Sequence, residues 1–273
     1  MEREEMLSEL YAQFDEDDRL CKSRQGQLEY LVTMTYIHKF LTPGCRVLEI
    51  GAGTGRYSVA LAKEGFRVTA VELVESNLNR LKENAKGLAG VDAFQGDALD
   101  LGRFANDTFD VTLVFGPLYH LYDRAEQHKA LDEAIRVTKP GGAILAAFLS
   151  AHAIICTNYL YDRAPTAQGI RLNFDGDYTP LHFPEQVFTG FDVCEFEALF
   201  REKPVEQITT VAADSVLEIA EGREDFFMTD EDFAAFADYQ LHVCEKRELL
   251  GLSSHLVYIC RKRQDSLIRG GNA

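Results

Sequence analysis

From position 46 onward, short apolar, β-branched runs alternate with stretches in which apolar residues recur every three or four positions. The runs 47–50, 67–72, 91–95, 108–115 and 143–149 read as strands, and their near-continuous hydrophobicity predicts cover on both faces. Between them, 58–64, 76–86 and 124–138 carry helical spacing, and the turns contain Gly, Asp or Pro. Such alternation predicts an α/β fold with a doubly wound, mostly parallel sheet. Right-handed crossovers then place a ligand crevice at the carboxyl ends of the strands, where Glu49, Glu72, Asp97 and Phe115 fall.

The flanks read differently. Leu28, Leu31, Val32, Tyr36 and Phe40 form a stripe at helical spacing that ends before Thr42-Pro43-Gly44, so a helix is expected to lie on the core. Arg19, Arg24, Tyr30 and Tyr36 in this region are candidates to touch a ligand, although surface charge and core packing are the better account of each. After Ser150 the stretch 151–184 is rich in Tyr, Asp, Asn and His and is interrupted by proline and glycine, as an inserted cap would be. A helix over 193–202, a strand over 205–211, helices over 215–221 and 230–245 and a strand over 254–260 follow. The expected division is a helical cover (1–43), a ligand-binding core (44–150), a cap (151–204), the end of the sheet with inserted helices (205–263) and a flexible tail (264–273).

The chemistry is concentrated in Val47-Leu48-Glu49-Ile50-Gly51-Ala52-Gly53-Thr54-Gly55-Arg56. Three glycines at alternate positions let the main chain turn tightly and approach a ligand, and the helix that follows aims unpaired N–H groups at the same place. A dinucleotide loop would need its third glycine at position 56, which is Arg56, and Glu49 would repel a pyrophosphate while attracting an ammonium group. An NAD site is therefore disfavoured. Glu72, about twenty residues beyond the first glycine, is placed to accept ribose hydroxyls.

Read with Gly96-Asp97-Ala98, with Phe115-Gly116-Pro117-Leu118-Tyr119-His120 and with Lys139-Pro140-Gly141-Gly142, this order of motifs resembles the class I S-adenosylmethionine-dependent methyltransferases. The resemblance implies a Rossmann-like fold with a seven-stranded sheet, the seventh strand lying between the fifth and sixth. It also implies S-adenosyl-L-methionine as cofactor, with S-adenosyl-L-homocysteine as product. Glu49 would take the aminoacid end above the turn Gly51, Ala52, Gly53, Thr54 and Gly55, and Glu72 would take the ribose. Asp97 would take the adenine amino group, Leu73 and Ala98 would bracket the base, and Phe115 and Gly116 would form the substrate-side edge.

Methylation of a hydroxyl, amine or thiol needs a proton acceptor, and histidine is the usual one. His120 is the leading candidate, with Tyr119 shaping the transfer channel, and His152 and His182 stand behind it. The loop lacks the Asn-Pro-Pro-Tyr pattern of adenine- and glutamine-directed enzymes. The aromatic residues Tyr159, Tyr161, Phe174, Tyr178, Phe183, Phe188 and Phe191 serve either an apolar acceptor pocket or the cap's own core. The expected acceptor is a small molecule methylated on oxygen or nitrogen, with RNA or protein as the alternative and a non-catalytic cofactor-binding protein as a further one.

Composition narrows this. Twenty-eight basic residues face 44 acidic ones for a formal charge of −16, which disfavours nucleic acid. Neither Arg201–Lys203 nor Arg261-Lys262-Arg263 is more than a short cluster. No apolar run reaches the roughly twenty residues of a membrane span, and the acidic start is unlike a secretion signal, so a cytoplasmic enzyme with no membrane partner is expected. Six scattered cysteines without a Cys-x-x-Cys pair are expected as reduced thiols in or near the core. The closest approach to metal spacing, His242-Val243-Cys244 with His255, is too loose, and no metal is expected.

Overall fold

The computed structural model describes residues 3–13, 16–161 and 165–264. Helices α1 (Arg3–Tyr11), α2 (Arg19–Lys22) and α3 (Arg24–His38) precede strand β1 (Arg46–Ile50). Then α4 (Arg56–Lys63), β2 (Arg67–Glu72), α5 (Glu75–Asn84), β3 (Val91–Gln95), β4 (Phe109–Val114), α6 (Arg124–Val137) and β5 (Thr138–Ser150) alternate as expected. The chain continues through α7 (Ala151–Ile155), a π turn at Cys156–Tyr161, α8 (Thr166–Asn173), β6 (Gly190–Phe191), α9 (Val193–Ala198) and β7 (Val205–Ala212). Helices α10 (Leu217–Glu221), α11 (Asp230–Val243) and α12 (Arg247–Leu250) lead into β8 (His255–Lys262).

The sheet runs β3-β2-β1-β4-β5-β8-β7, parallel from β3 to β5 and antiparallel where β8 inserts between β5 and β7. Alternate residues feed two cores. Leu48, Ile50 and Phe148 pack with α6 and α9, whereas Val47, Leu113 and Leu145 pack with α3, α4 and α11. Both faces of the central strands are thus buried, which is why those strands lack a polar side, whereas the edge strand β3 leaves Asp92 and Gln95 exposed.

Three details depart from expectation. The sheet has eight strands rather than seven, because β6 adds a short parallel pairing to the end of β5 inside the expected cap. The fifth strand begins at Thr138, not Ala143. Its Lys139-Pro140-Gly141-Gly142 segment is a bulge between the Phe109↔Thr138 and Val111↔Ala143 pairs, with Gly141 at φ 80°. A proline without a donor fits only where the ladder is interrupted. Finally, Cys45, Cys244 and Cys260 are buried, but Cys21 and Cys156 are half-buried and Cys194 is exposed, so the thiols are only partly core residues. The expected tail, apart from Gln264, and the Tyr161 side chain lie outside the described residues. Among the described residues, no helix is long and apolar enough to cross a membrane.

Candidate active site

The glycine turn is built by exclusion. Gly51 has φ 78°, and a Cβ there would lie 2.3 Å from the Phe115 carbonyl oxygen and 2.5 Å from Pro117 Cδ. Only glycine lets β1 end against the loop after β4. Its N–H and that of Ala52 donate to the Val71 carbonyl at 2.8 and 3.1 Å, which locks the turn to β2. Gly55, at φ 86°, serves differently: it faces Leu81 of α5, with a Cβ position 2.6 Å from Leu81 Cγ.

This turn opens into a cavity of about 920 Å³ at the carboxyl ends of β1, β2 and β4. Of the fourteen residues expected at the site, all but Gly55 line it. Glu49 is buried at its base and accepts a hydrogen bond from the Ser58 hydroxyl. Burial raises its carboxyl to about 8, against the lowering by Ser58. Among the described residues no cation pairs with it. Glu72 accepts the Gly53 N–H at 2.8 Å on one oxygen and the Val74 N–H at 2.9 Å on the other, and burial raises its carboxyl as well. Asp97 accepts the Leu99 N–H at 2.9 Å on Oδ1, while Arg3 forms an ion pair with Oδ2.

Helix α1 closes the cavity with Arg3, Leu7 and Tyr11, none of which stood out in the sequence. Only Leu7 of this helix is buried, so no apolar stripe announces it. Tyr11 meets His120. The Val187 carbonyl, 2.8 Å from His120 Nδ1, can only accept, so Nδ1 carries the proton and Nε2 accepts the Tyr11 hydroxyl at 3.0 Å. Burial pushes the imidazole down to about 4. His120 therefore lines the site as expected, but as a neutral partner of Tyr11. His152 bonds Asp192 at the surface, and His182 is held by Thr189 and Glu195, so neither lines the cavity.

A second cavity of about 1360 Å³ shares Tyr11, Glu16, Arg19 and Tyr119 with the first. Tyr159, Phe183 and Phe188 of the expected cap segment line it, together with Ile154 and Leu149. Of the other candidate aromatics, Phe174 and Phe191 are buried in the core and Tyr178 is exposed. Arg19 stands at the junction, donating to Glu29 at 2.7 Å and to Glu16 at 3.0 Å. The other candidates near the amino end serve structure: Arg24 pairs with Asp230, Tyr30 stacks on Tyr57, and Tyr36 bonds Glu245. His255, absent from the expected site, lines the second cavity. It does not join His242, which bonds the Asp238 carbonyl; it belongs instead to a Glu29–Asp214–His255 group.

Residues 47–142 match a family model described as a methyltransferase domain. A demethylmenaquinone methyltransferase of Clavibacter sepedonicus is 34% identical over 158 residues, which cover 58% of this chain and 62% of that protein. A ubiquinone/menaquinone biosynthesis C-methyltransferase of Cereibacter sphaeroides is 35% identical over 127 residues, covering 44% and 49%. The chain thus spans about half to three fifths of these curated relatives. Among solved structures, a "SAM-dependent methyltransferase, possible histamine N-methyltransferase" from Thermotoga maritima superposes with a TM-score of 0.58 at 17% identity, covering 96% of this chain and all of that one. At that identity the likeness establishes the fold.

Proposed function

We propose that this chain, whose residues 47–142 match a methyltransferase-domain model, is a class I S-adenosylmethionine-dependent methyltransferase that transfers a methyl group to a small-molecule acceptor. The observation that carries this reading is Glu49. It is a buried carboxyl at the base of a glycine-cradled cavity, with no cation beside it among the described residues, and the ammonium of an aminoacid-bearing nucleoside would supply one. The residues fit the cofactor elsewhere too. The remaining acceptor capacity of Glu72 suits a ribose diol, and Asp97 suits an adenine amino group, for which Arg3 would have to share Oδ2.

Bound S-adenosylmethionine supplies an electrophilic methyl on a positively charged sulfur. The chain's part is to hold two reactants in line, which can contribute most of the rate. Strong anions beside the sulfur would favour its charged ground state, so the acids belong at the cofactor's periphery, as Glu49, Glu72 and Asp97 are arranged around the cavity. Tyr11, Glu16, Arg19 and Tyr119 stand at the junction, and the aromatic second cavity would hold the acceptor. His120 orients Tyr11 and Tyr119 borders the transfer path. The demethylmenaquinone relative supports an acceptor of low molecular weight, and the C-methyltransferase relative adds carbon to oxygen and nitrogen as the atom methylated. The net charge of −16 argues against nucleic acid. Calorimetric titration should show S-adenosylmethionine and S-adenosylhomocysteine binding to the wild type and binding more weakly to Glu49→Gln. Failure of both to bind at millimolar concentration would refute the reading.

A further inference from the structure

The second cavity is bordered by a hydrogen-bonded His–Asp pair. His255 opens β8 and lines that cavity, and its Nδ1 lies 2.6 Å from Asp214 Oδ2. Asp214, fully buried just after β7, is fixed by the Ser253 hydroxyl at 2.5 Å, the His255 N–H at 3.1 Å and the Gln25 amide at 2.7 Å. An ionised Asp214 can only accept, so Nδ1 carries a proton and the lone pair of a neutral ring sits on Nε2. No described residue hydrogen-bonds Nε2. A smaller cavity of about 360 Å³, bordered by Arg19, Tyr119 and His255, also reaches Tyr57 and Phe115 of the first cavity.

Building on the methyltransferase reading, we propose that His255 is the general base for the acceptor, that Asp214 positions it, and that the acceptor carries a phenolic or enolic hydroxyl. The acceptor's O–H bond breaks, its electron pair stays on oxygen, and the proton forms an N–H bond on Nε2. Asp214 holds the resulting imidazolium. The oxyanion is then the nucleophile, either at oxygen or, through ring conjugation, at the adjacent carbon. A single ionised hydroxyl thus serves both outcomes.

The surroundings suit this role. Burial opposes charge on His255, but Glu29 on α3, 3.7 Å from Nδ1, and Asp214 together outweigh it and lift the ring to about 9, while Arg19 lowers it. Glu16 is held by Arg19, and Glu218 on α10 and Tyr119 also border the cavity. At about 9 the ring is neutral in only about one molecule in a hundred at pH 7, so His255 gains its lone pair as pH rises towards 9; from that neutral ring, transfer from a tyrosine-like phenol near 10 is about tenfold uphill, in all about a thousandfold at pH 7, against about a million-fold for the already neutral His120 at about 4.

Three forms of the full chain test this: wild type, His255→Gln and Asp214→Asn, each first checked by circular dichroism. NMR should place the His255 titration near pH 9 in the wild type and lower in Asp214→Asn. With 4-nitrophenol as probe, the phenolate absorption band of the wild-type complex should appear at a pH at least about one unit below that in water, a tenfold shift. His255→Gln should remove the shift. A wild-type His255 that titrates below pH 7, a bound nitrophenol that ionises as in water, a shift that survives in His255→Gln, or a probe that does not bind at millimolar concentration would each overturn the proposal. Calorimetry with S-adenosylhomocysteine on the same samples separates the two readings. Loss of its binding alone would remove the methyltransferase premise and leave the phenol site standing.

Discussion

Binding of S-adenosylmethionine should release close to one proton near neutral pH, because the cofactor's ammonium must meet a carboxylate that burial has neutralised. With the Glu49 carboxyl at about 8, only about a tenth of the free protein has it ionised at pH 7 and about a hundredth at pH 6. If only the ionised form binds, the cost is about 1.4 kcal/mol at pH 7 and about 2.7 kcal/mol at pH 6. The dissociation constant should therefore fall about tenfold from pH 6 to pH 7 and flatten towards pH 8, where the ligand's own α-amino group, near 8, begins to lose its charge. Calorimetry in two buffers of different ionisation enthalpy reads the net proton count, expected at about 0.8 at pH 7 once the small uptake by the ligand's amino group is included. Glu49→Gln should abolish both the release and the slope. Linkage sets the sign for stability: an acid whose folded value is raised stabilises at low pH, and that contribution is lost as pH rises from the unfolded value near 4.3 to about 8. The ligand-free protein should melt at a lower temperature at pH 8 than at pH 6, less so in the variant. A dissociation constant that is flat between pH 6 and 7.5, with a buffer-independent enthalpy, would refute the reasoning.

Gly51→Ala should lose cofactor binding and at least about 1 kcal/mol of stability, since its Cβ collides with the Phe115 carbonyl at a positive φ; melting curves and calorimetry check this, and an unchanged variant would contradict it. Asp97→Asn should weaken S-adenosylhomocysteine by roughly the worth of one hydrogen bond, about 0.5–1.5 kcal/mol, measured by titration. Arg3→Ala breaks a partly exposed pair and should change stability by no more than about 1 kcal/mol, while stopped-flow association of the cofactor becomes faster; slower association would count against Arg3 competing for Asp97. His120→Ala should lower turnover without moving the pH profile between 5.5 and 8, because the ring stays neutral throughout; loss of the ascending limb would instead make it the base.

The sequence by itself determined the alternating core, the glycine turn and the strand-end acids. Each rests on local rules: side-chain period fixes the element, chirality fixes the crossover, and positive φ selects glycine. That is why Glu49, Glu72 and Asp97 line the expected crevice. The same rules could not separate Gly55, which makes room for Leu81, from Gly51, which makes room for the Phe115 carbonyl and Pro117, because neighbours across the fold decide what a missing Cβ is for. Tertiary structure also decided that α1 covers the crevice, setting Tyr11 on a histidine 109 positions away. It brought Glu29, Asp214 and His255 together from α3, the end of β7 and the start of β8. Most of all, it set the proton affinities. His120 falls and His255 rises because one is buried without a carboxylate and the other beside two, and burial and charge pairing are properties of the packed chain rather than of any segment.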